Sequence, residues 1–183
     1  MEQNVKMNEE ETEQTVERLL LEFDKDFKSN NVAELRDQFP RYVALYTKFI
    51  YQPDIVIRGI NPSWFSGKEP ESEEDILEED RRVNSLQGLH KINSYIEYRE
   101  PPYHYYLCKD LYSAAGEEFI KNRLMGWNDC FIQLGGQGGM AELKGIALQI
   151  DKKNQNSFCQ DLIKKSKSTA RKLEQLIQPK LII

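Results

Sequence analysis

The stretch at residues 52–67, QPDIVIRGINPSWFSG, constrains the fold more than any other part of this chain. Pro53 and Asp54 open an element whose next residues, Ile55, Val56 and Ile57, are too apolar and too β-branched for an exposed segment. Gly59 to Pro62 then stop it sharply. Such a run predicts a strand buried on both faces, as in a parallel sheet covered by helices. Ligands of these sheets sit just beyond the carboxyl ends of the strands. Gly59, Asn61, Ser63, Trp64 and Phe65 therefore stand where a site would be built.

The rest of the chain supplies the covering helices. Residues 1–12 read as a disordered polar lead, followed by a single domain over residues 13–183. Val16, Leu19, Leu20, Phe23 and Phe27 recur at helical spacing. Val32, Leu35 and Phe39 form a second helical pattern that breaks at Pro40 and resumes through Tyr42, Val43, Tyr46 and Phe49. Leu107, Leu111, Ala114, Ala115 and Phe119 predict a helix over about residues 105–119 in a tyrosine-rich segment. A second strand is expected over residues 130–134, CFIQL, closed by a glycine run at 135–139 that reads as a linker. The last helix, over residues 157–178, leads through Pro179 and Lys180 into a third strand, Leu181-Ile182-Ile183. Short apolar strands separated by helical patterns of crossover length predict a three-layer α/β/α fold with a central, mostly parallel sheet. The third strand would leave one side of the sheet unpaired and open to self-association.

Charge and cysteine usage exclude several classes. No apolar run approaches 18 residues, and the first residues are acidic where a signal peptide would be basic and then apolar, so no membrane partner is expected and the location expected is intracellular. Cys108, Cys130 and Cys159 are three in number and far apart, which fits buried reduced thiols and offers neither a disulfide framework nor a metal pair. No metal and no cofactor are expected. The net charge of −5 gives no global attraction to nucleic acid, and eight acids between Glu69 and Asp80 make the segment after the Gly59 turn strongly anionic. Against that background, Lys164, Lys165, Lys167, Arg171 and Lys172 give the last helix a basic outer face, which suits either a solvated surface or a phosphate track.

Gly59-Ile60-Asn61-Pro62 after a buried strand resembles the first motif of the uracil-DNA glycosylase superfamily, in its mismatch-specific and single-strand-selective branches. Residues 63–67, SWFSG, resemble the loop that follows it, and the helix, Pro179-Lys180 and apolar strand resemble the approach to the family's third strand. A second motif built on a histidine and a proline-serine turn has no counterpart, since His90 and His104 lie in other contexts. On this resemblance the chain is an incomplete member, lacking the C-terminal part of the fold. Branches that carry an iron-sulfur cluster need four cysteines, which the chain does not have.

The resemblance implies hydrolysis of the N-glycosidic bond of a damaged or deaminated base flipped out of DNA, as in base excision repair. The implied partner is DNA containing uracil or a mismatched base. Asn61 would position the water, since an amide is no general base near neutral pH. Gly59, Ile60 and Ser63 would line the base pocket, with Trp64 or Phe65 stacking on the ring. Gln133, where the family places an asparagine, would read the uracil edge with one donor and one acceptor. With Asn61 in the place of a base and no second motif, little or no uracil release is expected. The alternative is a catalytically inactive module of the same fold that binds a nucleotide, a nucleic acid or a protein partner.

Overall fold

The computed structural model describes residues 7–59, 94–97, 99, 106–134 and 139–183. Helix α1 spans Glu9–Phe27, so the expected polar lead is already helical from Glu9. A capping box explains the early start. Asn8 Oδ1 accepts from the Glu11 N–H at 2.9 Å, Glu11 Oε2 accepts from the Asn8 N–H at 3.0 Å, and three glutamates occupy the first turn near the positive end of the helix dipole. A 3₁₀ turn at Asn30–Val32 and helix α2, Ala33–Gln38, follow, and Pro40 ends the helical run.

Beyond Pro40 the helix expected to resume at Tyr42 does not form. Residues 41–46 run extended along the far side of the second strand and the segment after it. Val43 N–H donates to Phe131 O at 2.7 Å, Tyr46 N–H to Gly126 O at 2.8 Å and Asn128 N–H to Ala44 O at 3.1 Å, and Tyr42 and Leu45 form antiparallel bridges with Ile132 and Trp127. The aromatic and β-branched residues there suit a pleated surface, and a sheet edge with unmet backbone groups outweighs their helical spacing.

The sheet has three parallel strands in the order β2-β1-β3. Strand β1 is Ile55–Gly59, as expected, but only Val56 is fully buried in it. Strand β2 is Leu124–Asn128, six residues ahead of the expected Cys130. Gly126 makes that run look like a break, yet it is where the Tyr95 ring packs: a Cβ at position 126 would fall 2.5 Å from Tyr95 Oη. Residues 130–134 are buried without forming a strand of the sheet. Strand β3, Leu181–Ile182, pairs with β1, and Ile183 N–H donates to Val56 O at 2.8 Å. Among the described residues its outer edge meets no further strand.

Side chains alternate across the sheet into two apolar clusters. Val56, Met125 and Trp127 join α1, α2, α6 (Met140–Asn154) and α7 (Phe158–Ile177) on one face. Ile57 and Leu124 pack with α3 (Ser94–Glu97), α4 (Tyr106–Ala115) and α5 (Glu117–Arg123) on the other. The single helix expected over 105–119 is two, because Gly116 adopts a φ of 76° that side-chain-bearing residues rarely take. All three cysteines are free and buried, and burial pushes the Cys108 and Cys159 thiols up to about 12, so they are unreactive. Among the described residues no helix is long and apolar enough to cross a membrane.

The α6–α7 hairpin is fastened by a buried carboxylate. Asp151 accepts from Cys159 N–H at 2.9 Å, Gln160 N–H at 3.0 Å and Gln160 Nε2 at 3.1 Å, capping α7 from outside its own sequence. Asp151→Ala is expected to cost about 2 kcal/mol by leaving a buried donor unmet, with Asp151→Asn losing roughly half as much. A melting temperature for the alanine variant within about 1 °C of the parent would show that the cap is dispensable.

Candidate functional site

The strand order reverses on the two sides of β1, and open α/β sheets build their sites at such a point, outside the carboxyl ends. There Gly59 ends β1 and stands in register with Asn128 at the end of β2. Gly59 O accepts from Asp129 N–H at 2.8 Å, which ties the two strand ends together. A Cβ on residue 59 would collide with Asn128 Oδ1, so only glycine lets the strands close here.

Asn128 is fully buried, and its amide is held at both ends. Its Nδ2 donates to Val43 O at 3.0 Å, and its Oδ1 accepts from Tyr46 Oη at 2.6 Å. The Val43 carbonyl can only accept, so it determines which side of the amide carries the hydrogens, and the Tyr46 hydroxyl turns to donate. Among the described residues, one N–H and one oxygen lone pair of the amide meet no further partner. Next to this pair, Arg58 binds Asp129 through Nε and Glu174 of α7 at 3.2 Å. The Asp129 hydrogen bond, above all, reinforces the guanidinium charge. Ser166 Oγ of α7 accepts from Phe131 N–H at 2.6 Å, so α7 also fixes the turn that leaves β2.

Of the residues expected to form the site, Gly59 lies at the strand end as anticipated. Ile60, Asn61, Ser63, Trp64 and Phe65 lie outside the described residues. Gln133 is buried five residues past the end of β2, in the segment paired with residues 41–46, where its N–H donates to Arg41 O at 2.9 Å. It does not end a strand of the sheet. The amide at the strand end is Asn128, which sequence reasoning missed together with Tyr46. Reading Leu124 to Trp127 as a strand stopped by Asn128-Asp129 would have found the first. Nothing in the local sequence marks Tyr46, which reaches the site from a distant segment.

Among the described residues no group of three or more histidine, cysteine or carboxylate side chains is placed to hold a metal ion. Comparison with protein-family models, with curated proteins and with solved structures finds no match.

Proposed function

We propose that this chain is a uracil-DNA glycosylase-like protein of three-layer α/β/α architecture, which hydrolyses the N-glycosidic bond of a deaminated base in DNA. The observation that carries the reading is the seating of Gly59, first residue of the Gly59-Ile60-Asn61-Pro62 turn, directly against the Asn128 amide at the end of the neighbouring parallel strand. That contact sets the first residue of the resemblance motif beside a side chain able to read a base edge. In this reading Asn128 takes the role expected of Gln133. Its spare N–H and lone pair match the O4 acceptor and N3–H donor of uracil, in an orientation that Val43 and Tyr46 hold. Asn61 positions the water, and Trp64 or Phe65 stacks on the flipped ring.

The full burial of Asn128, with both ends of its amide engaged, favours a second reading in which the amide is structural and the domain only binds. The test is uracil release from single-stranded and mismatched oligonucleotides with protein in excess, read by alkaline strand cleavage. The hydrolase reading expects slow scission that falls about 100-fold to 1000-fold in Asn61→Ala, the loss seen when one oriented polar group is removed from a reacting centre. Absence of scission by the parent protein, with its fold intact by circular dichroism, would leave the binding module.

A further inference from the structure

The charge of this chain is unevenly distributed. Residues 139–183 hold nine Lys and Arg against four Asp and Glu, a surplus of five, although the whole chain carries −5. Such asymmetry within one chain is the usual footprint of a polyanion partner.

The surplus is organised on α7. Lys164, Lys167 and Arg171 are three and four residues apart and share one flank of the helix, as does Glu174, three residues further on. Glu174 reaches Arg58, the residue before Gly59, and Ser166 beside Lys167 binds the backbone of the turn that leaves β2. The flank therefore runs past the carboxyl ends of β1 and β2. The acids along it are already engaged: Asp129 and Glu174 with Arg58, and Asp161 with Lys164 and Ser157. Among the described residues no carboxylate lies within ion-pair distance of Lys167 or Arg171. On the other flank, by contrast, Lys165 is bound to Asp26 at 2.5 Å.

Lys167 and Arg171 are thus an i, i+4 pair of like charge, an arrangement that costs an isolated helix stability and that a bound anion would relieve. An ordinary solvated helix face relieves it with acids at the same spacing, as Lys121 does with Glu117 on α5. The exposed apolar Phe158 lies with Asp26 and Lys165 around a cavity on the other flank, which Asp161 borders.

We propose that Lys164, Lys167 and Arg171, with Arg58 at the end of the row, form a track for the phosphate backbone of a nucleic acid strand, leading it to the carboxyl ends of β1 and β2. The glycosylase reading enters only in the choice of DNA as that strand.

The experiment is fluorescence anisotropy of the full chain with a single-stranded oligonucleotide free of uracil, over about 50 to 200 mM salt. Lys167→Gln/Arg171→Gln is expected to reduce the slope of log affinity against log salt by about 1.4, from roughly 0.7 per lost phosphate contact, and to weaken binding about tenfold at low salt. Lys172→Gln, on the opposite flank, should leave the slope unchanged. Both substituted positions face solvent at least in part, and a melting curve checks that the fold is kept. The track is refuted if the parent does not bind at low salt, if the double variant keeps its slope, or if Lys172→Gln loses as much. Equal binding to vesicles containing phosphatidylserine, with the same dependence on Lys167 and Arg171, would assign the surface to membranes instead. Uracil release is read separately: a protein that binds with the expected slope but cuts nothing refutes the hydrolase reading alone.

Discussion

Phe23→Ala is expected to destabilise the fold by about 4 kcal/mol, and so to lower the melting temperature by roughly 8–16 °C for a chain of this size. Phe23 is completely buried on α1, with its ring edge-on to Tyr42 at 5.2 Å and to Phe131 at 5.0 Å and stacked near Phe27 at 6.3 Å. These partners come from three different segments, so no single side chain can move in to fill the space that alanine would leave. Tyr42 is further pinned by a 2.7 Å hydrogen bond from its hydroxyl to Asp24 Oδ1. Phe23→Leu keeps most of the volume and should lose about 1–2 kcal/mol. Thermal and denaturant unfolding measure both, and an alanine variant within about 1 kcal/mol of the parent would mean that this junction is not packed as described.

Gly59→Ala is expected to cost about 2–3 kcal/mol, a large effect for the addition of one methyl group. The new Cβ would meet Asn128 Oδ1, and the amide has no easy retreat because Val43 and Tyr46 hold it from two sides. Turning the amide away would break its bond from the half-buried Tyr46 hydroxyl and take the Nδ2 donor from the buried Val43 carbonyl. The clash is specific to one pair, so it should appear as coupling: in the Asn128→Ala background the same substitution should cost less by about 1 kcal/mol or more. Additive losses in that double-mutant cycle would place the strain elsewhere. Under the proposed function, Gly59→Ala should also abolish uracil release even at temperatures where the protein is still folded.

The parts legible in the sequence are those whose partners lie close along the chain or whose character admits one environment. Ile55 to Ile57 were legible as a strand, although only Val56 in it is fully buried, and the apolar stripe from Leu162 to Leu173 placed α7 within a residue at each end. Three isolated cysteines in an apolar setting were legible as buried thiols. Misreadings arose where two local signals compete. Tyr42, Val43 and Tyr46 satisfy a helical period and a strand period alike, and the exposed edge of β2 decided between them. Leu124 to Asn128 and Cys130 to Leu134 are both apolar runs. Only the pairing of backbone groups with β1 distinguishes the first from the second, and Gly126, which looks like a breaker, is there because a tyrosine ring needs the room.

The same division holds for the candidate site. By itself the sequence determined the central strand and its end at Gly59, the last helix and strand, and the concentration of positive charge after residue 139, because each rests on local composition and spacing. Only the tertiary structure decided that Gly59 closes on Asn128, that Tyr46 and Val43 orient that amide, that Asp151 caps a helix it does not belong to, and that Glu174 carries the basic flank of α7 up to Arg58. Each of these is a contact between residues brought together by strand pairing or helix packing. A hydrogen bond or a steric limit across 82 residues, as between Tyr46 and Asn128, leaves no periodic trace in the chain.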